Sequence, residues 1–342
     1  MTALSENSST STQRTTTIRR ALTEALADAL EEDSRVVLIG EDLTKWGTGG
    51  GIYGVTKGLV NKAGSHRVRD TPISEEAIVS MGVGSAMTGL RPVVEIMYSD
   101  FLMLAMDPLV NQAAKAHYMF GNQFAVPMVV RTNGGGASGK AAQHSQSLET
   151  LFAHIPGLEV VVPSTPTDAY ALLRAAIATD NPTVFLEHKA MYNVRGPLHK
   201  SIGELGRGRI ARPGTDITVV ASQLGLMKAL EAAQTLWETD RVDVEIIDPR
   251  TLVPLDMGIV EESVQRTGNI VIAHEAVRDF GWGGYIASEV ALRCWSSLNS
   301  APRVVASKQM PIPYSPVLEE QVLISAASIV ETVRHVLRST HD

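Results

Sequence analysis

Cysteine is almost missing from this chain. Cys294 stands alone among 342 residues, so no internal disulfide can form, and this usage suits a reducing compartment. Basic charge is also in deficit: 30 Lys and Arg against 37 Asp and Glu leave a net charge of -7. That balance excludes a nucleic-acid partner held through phosphate contacts, which needs a basic surface. Long apolar runs are lacking too. They break early, as at Arg91 and Pro92, well short of the ~20 residues that cross a bilayer, so no membrane anchor is expected. The stretch from Ser5 to Thr17 is rich in Ser and Thr and has no apolar h-region. It reads as a disordered tail, set at residues 1–15, on a cytoplasmic protein; a transit peptide is the weaker reading.

At 44% hydrophobic and 20% charged, the rest has the make-up of a soluble globular protein, and the length predicts about two domains. Ile18, Ala21, Leu22, Ala25, Leu26, Ala29 and Leu30 recur at helical spacing. Val36 to Ile39 is a short continuous apolar run, expected of a strand buried on both faces. Val126 to Arg131, Glu159 to Val162 and Thr183 to Leu186 repeat it, the last two separated by a helical stretch, Thr167 to Ala178. Beyond Pro213 the alternation is regular, from a strand at Ile217 to Ala221 and a helix at Leu224 to Trp237 to a closing helix at Ile324 to Leu337. This predicts an α/β fold of two doubly wound, mostly parallel domains. The Gly, Pro, Arg and Lys texture from His188 to Pro213 marks their junction. The first domain is set at 16–190, a linker at 191–213 and the second domain at 214–342.

Candidate chemistry begins at Asp70-Thr-Pro-Ile-Ser-Glu75. Thr71 and Pro72 break the preceding structure, Ser74 is a good N-cap, and Glu75 then opens a helix whose dipole stabilises its anion. A carboxylate held there can accept a proton-bearing ring nitrogen from a ligand, or it can merely compensate the dipole. Two glycine loops suggest other chemistries. Gly49-Gly-Gly51-Ile-Tyr-Gly54 matches the dinucleotide pattern, but Glu41 to Thr48 separates it from its strand, and a nicotinamide dehydrogenase needs the glycine at the strand end. Gly134-Gly-Gly-Ala-Ser-Gly139-Lys140 follows a strand and nearly matches a phosphate loop, yet Ala141 stands where an NTPase needs the Mg²⁺-ligating hydroxyl. It is better read as a loop permitting close backbone approach, with His144 facing the same site or solvated beyond it. Gly82, Gly84, Ser85, Ala86 and Gly89 form a small-residue face suited to a close helix or subunit contact.

With Glu75, Phe101 and His144 in view, the chain resembles the β subunits of thiamine-diphosphate-dependent E1 components of 2-oxo acid dehydrogenase complexes. The resemblance rests on Gly40-Glu-Asp-Leu, Asp70-Thr-Pro-Ile-Ser-Glu75, Gly89-Leu-Arg-Pro-Val-Val-Glu95 and Asn111-Gln-Ala-Ala-Lys115. It continues through Ala141-Ala-Gln-His144-Ser-Gln146, Ile155-Pro-Gly-Leu158 and Val244-Glu-Ile-Ile-Asp248. Trp46 to Leu59, His117 to Gly121 and Glu187 to Tyr192 look closest to acetoin dehydrogenase β subunits. The resemblance implies an N-terminal pyrimidine-binding domain and a C-terminal transketolase-type domain. It implies that Glu75 hydrogen-bonds the aminopyrimidine ring nitrogen, that Phe101 stacks on that ring with Ile73 beside it, and that His144 steers protons as an acyl group passes to a lipoyl arm.

The diphosphate of this cofactor is held in such enzymes through Mg²⁺ on a Gly-Asp-Gly motif, which occurs nowhere in the chain. The resemblance therefore implies an α subunit carrying diphosphate and metal in an α₂β₂ assembly, and an acyltransferase (E2) core as the docking partner. The substrate is expected to be pyruvate or a branched-chain 2-oxo acid, or acetoin; a two-subunit transketolase-like enzyme without a lipoyl acceptor is the alternative. The structural potassium site of such proteins uses an Asp two residues before an Asn. Thr179 precedes Asn181 here, which leaves at best a weak K⁺ site near Asn181.

Overall fold

The computed structural model describes residues 14–44 and 49–339. Residues 1–13 of the expected tail, and Trp46, lie outside the described residues. Among the described residues fourteen strands form two large sheets and one small ribbon. In chain order they are β1 (Thr15–Thr17), β2 (Val36–Gly40), β3 (Val68–Asp70), β4 (Arg91–Glu95), β5 (Val129–Gly134), β6 (Glu159–Val161) and β7 (Thr183–His188). There follow β8 (Arg195–Pro197), β9 (Arg209–Arg212), β10 (Ile217–Ala221), β11 (Val244–Asp248), β12 (Thr251–Val253), β13 (Ile270–Val277) and β14 (Arg303–Ser307).

The first sheet has the order β12-β6-β7-β5-β4-β2-β3, parallel except for β12; the second has β14-β13-β10-β11-β9, parallel except for β9. Every residue of β2, β5, β7, β10 and β11 is buried, as continuous apolar strands require when helices cover both faces. The helix Ile18–Glu32 buries all seven residues of the helical stripe against the helix Pro166–Ala178, and Thr17 caps it by accepting from Arg20 N at 3.3 Å. One hydrophobic cluster runs from Ile39, Val94 and Val130 of the first sheet to Ile272 of the second sheet and to Val264 and Trp282 on helices of the same half. The two halves therefore share a core.

Several local expectations shift. β5 starts at Val129 rather than Val126, because Pro127 has no N–H for the ladder. The last helix starts at Ala326, after a Ser325–Ser328 capping box. The stretch read as a linker contributes two strands: β8 pairs with β1, and β9 forms an antiparallel edge on β11. β12, from the second half of the chain, crosses back to pair with β6. Strands of three or four residues carry too little periodicity to be read in advance.

Candidate active site

The parallel register brings Gly40, Asp70, Glu95 and Arg131 level at the carboxyl edge of the first sheet. This is where open α/β sheets form their binding crevices. After Asp70, whose carboxylate accepts from Thr44 N at 2.9 Å, the chain turns and enters the helix Glu75–Met87. Ser74 occupies the N-cap position but does not cap. At φ -170 its hydroxyl donates to Pro72 O at 3.1 Å and not to a helix N–H. Glu75 is the first helical residue and is buried, 9% exposed. Among the described residues no group hydrogen-bonds its carboxylate. Ile73 beside it is 82% exposed. The small-residue stripe divides: a Cβ on Gly82 would stand 2.6 Å from Met128 Sδ and 2.8 Å from Val94 Cγ1, while Gly84 and Gly89 face open space.

A second buried carboxylate, Glu41, follows β2. Burial pushes its carboxyl up to about 6, with Glu75, Asp42 and Glu95 adding repulsion. Since this exceeds the ordinary 4.5, the native state binds the proton more tightly than the unfolded chain. The contribution to stability is full below the unfolded value and lost as pH rises through about 6. Glu41→Gln is therefore expected to raise the melting temperature at about pH 7.5 and to leave it unchanged at about pH 4. Calorimetry at both pH values checks this; an equal shift at both would assign the effect to packing.

Phe101 opens a short 3-10 turn, Phe101–Ala105, against which the helix Glu75–Met87 packs. His144 ends another, Ala142–His144. The two rings meet edge to face at 5.2 Å, and Tyr98 stands 4.7 Å from His144 and 5.7 Å from Phe101. His144 is thus packed against aromatic rings rather than solvated in a loop. Tyr53 extends the cluster, 6.4 Å from Tyr98 and stacked on Tyr192 at 4.7 Å. The structure brings Phe101 and His144 into contact. Glu75 shares their edge of the sheet, but among the described residues no hydrogen bond or ring contact joins it to either.

Beneath this cluster Arg131 bridges Glu95 at 2.6 Å and Glu187 at 2.7 Å, and Tyr192 OH donates to Glu187 at 2.6 Å. Pairing of this kind offsets the cost of taking the three charges out of water. Neither the network nor Tyr98 was singled out from sequence. The available signal was a charge interrupting an apolar strand, as Arg131 and Glu187 do.

Both glycine loops are satisfied from within the chain. Gly50 N and Gly51 N donate to Leu43 O at 3.2 Å and Asp42 O at 2.9 Å, and a Cβ on Gly51 would collide with the Glu95 carboxylate. In the second loop the Gly136 N–H donates to Glu275, and Gly139 N and Ser138 N donate to Glu319 at 3.0 and 3.4 Å. The amides that would cradle a phosphate already hold carboxylates. Lys189 donates to Gly135 O, and burial pulls its ammonium down to about 8.

Near Asn181, the carbonyls of Ile177, Ala178 and Thr179 accept from Arg91 Nη1 at 2.8–3.2 Å, and Arg91 pairs with Asp180 at 2.6 Å. Asn181 Nδ2 donates to Glu159 at 2.9 Å. A guanidinium thus takes the oxygens that a cation would need. Among the described residues no three His, Cys, Asp or Glu side chains gather to hold a metal, and no helix is long and apolar enough to cross a membrane.

The chemistry of a buried carboxylate at a helix N-terminus, with no hydrogen-bond partner among the described residues, and of a half-buried aromatic ring at the same sheet edge is compatible with an aminopyrimidine ring. Among the described residues, the amides of the second glycine loop are already taken by Glu275 and Glu319, and no acidic or histidine cluster is placed to hold a metal for a diphosphate.

The chain matches the model of the transketolase pyrimidine binding domain over residues 14–195 and that of the transketolase C-terminal domain over residues 206–329. It is 41% identical over 325 residues to the pyruvate dehydrogenase E1 component subunit beta of Rhizobium meliloti, covering 94% of this chain and 70% of that one. It is 40% identical over 335 residues to the acetoin:2,6-dichlorophenolindophenol oxidoreductase subunit beta of Cupriavidus necator, covering 95% and 98%. Among solved structures, a split gene transketolase described as an inactive beta4 tetramer superposes with a TM-score of 0.77 at 22% identity, covering 94% of this chain and 98% of that one. At that identity the likeness speaks for the fold.

Proposed function

This chain belongs to the family of transketolase-like E1 β subunits of pyruvate and acetoin dehydrogenases, and on that premise we propose that it supplies the aminopyrimidine half of a thiamine diphosphate site completed by an α subunit. The observation that carries this is Glu75, a buried carboxylate at the edge of the parallel sheet with no hydrogen-bond partner among the described residues. Bound there, the cofactor would supply the carbanion chemistry that cleaves a bond beside a carbonyl. Glu75 would hold the ring nitrogen of the aminopyrimidine by a hydrogen bond, its own charge stabilised by the helix N-terminus. Phe101 offers its face to the same ring, with Ile73 exposed beside it. His144, fixed between Tyr98 and Phe101, moves a proton as the acyl group leaves for a lipoyl arm.

The substrate is a small 2-oxo acid, pyruvate or a branched-chain acid, or else acetoin; its pocket is shared with the α subunit. That subunit brings Mg²⁺ on a Gly-Asp-Gly motif, giving α₂β₂ assembled with a lipoyl acyltransferase in the cytoplasm. His144→Ala is expected to lower lipoyl acylation about 10²-fold and the reduction of an artificial electron acceptor much less. Steady-state rates with both acceptors test this. Equal loss in both would confine His144 to holding its loop or the substrate.

A further inference from the structure

One carboxylate from the second half of the chain grips both flanks of the segment that carries His144. Glu275, on β13, accepts from the Gly136 backbone N–H before the histidine and from Ser147 Oγ, 3.3 Å away, after it. Its other oxygen faces His188 Nε2 at 3.1 Å, and His188 pairs with Gly134 in the sheet register. Burial alone would raise this carboxyl, but His188, the Gly136 N–H and Lys189 together hold it below the usual glutamate range. The segment has little regular structure of its own: Gly135, Ala137, Gly139 and Ala141 all have positive φ. Its far stem reaches the ring cluster, where Gln146 Nε2 donates to Asp100, the neighbour of Phe101, at 2.9 Å.

We propose that Glu275 is a positioning residue for His144: by joining Gly136 to Ser147 it fixes the imidazole against Tyr98 and Phe101, so that acyl transfer depends on a side chain of the second domain. This rests on the acyl-transfer role proposed for His144. A reacting group displaced by about 1 Å can cost up to ~10²-fold in rate. Glutamine at 275 keeps an oxygen for Gly136 and Ser147 but loses the charge that strengthens both bonds and the second oxygen that faces His188.

In the assembled αβ enzyme, Glu275→Gln is expected to lower the ratio of lipoyl acylation to artificial-acceptor reduction about tenfold. A general loss of folded enzyme would leave that ratio unchanged. Amide hydrogen exchange across residues 134–147 is expected to quicken in the same variant. Ser147→Ala, which removes one of the two bonds, is expected to shift the ratio in the same direction by less, and it serves if Glu275→Gln does not assemble. In a His144→Ala background, Glu275→Gln is expected to cost acylation nothing further, because it acts through the lost ring. A further tenfold loss there, or an unchanged ratio in the single variant, overturns the proposal while His144 keeps its role. Wild-type acylation by His144→Ala overturns that role, and the proposal with it.

Discussion

Replacing Glu75 by glutamine is expected to lower turnover of the assembled enzyme about 10²–10⁴-fold without unfolding the chain. The amide is nearly isosteric, so the helix N-terminus and the packing of Ile78 and Val79 persist. It is a far weaker acceptor for a charged ring N–H, and that difference falls on the step that activates the cofactor. The stability side of this expectation is unusual for a buried charge. Removing one partner of a buried pair normally destabilises by about 3–5 kcal/mol. Among the described residues Glu75 has no such partner, and its carboxylate repels Glu41. The variant should therefore melt no lower than the parent at neutral pH, and the Glu41 carboxyl should relax towards its ordinary range. Hydrogen–deuterium exchange at the thiazolium carbon of the loaded variant is the direct measurement. Exchange at the parent rate would return Glu75 to simple compensation of the helix dipole.

Purified without an α subunit, the chain is expected to show no turnover and negligible Mg²⁺-dependent binding of thiamine diphosphate. The chain carries a net charge of -7, which opposes a diphosphate that lacks a countercharge. The one loop shaped for phosphate spends its amides on Glu275 and Glu319, so a diphosphate would have to displace two internal carboxylates. Isothermal calorimetry on the isolated chain, then on the chain mixed with an α subunit bearing a Gly-Asp-Gly motif, decides the matter. Micromolar binding by the chain alone would place the diphosphate site inside it and remove the argument for a shared site.

The fold was legible where periodicity is long. The helix Ile18–Glu32 buries the very residues that its stripe picks out, and β2 and β7, which read as apolar runs, are buried throughout. Legibility failed for short elements whose only stabilisation is a distant partner: β8 needs β1, β9 needs β11 and β12 needs β6. At the site, Glu75 was legible through its turn, although the supposed cap, Ser74, bonds backward to Pro72. His144 could be singled out but not placed, because its packing depends on Tyr98, forty-six residues away in sequence. The phosphate-like loop misled for a physical reason. Glycine amides at a strand end invite an anion, and nothing local shows that Glu275 and Glu319 will arrive from the far half of the chain to supply it.

The return of β12 to the first sheet bears on how such a chain can be divided. An edge strand normally belongs to the segment it protects; here Thr251–Val253 is lent across the junction to cover β6, and Arg250 from the same stretch is anchored on Asp168 at 2.8 Å. A fragment ending near Pro213 would leave β6 with an open row of N–H and C=O groups, inviting strand-to-strand association between copies. Truncation, fusion and domain exchange in this protein therefore have a natural cutting point that is not the apparent one: the first half is complete only when the second half is attached.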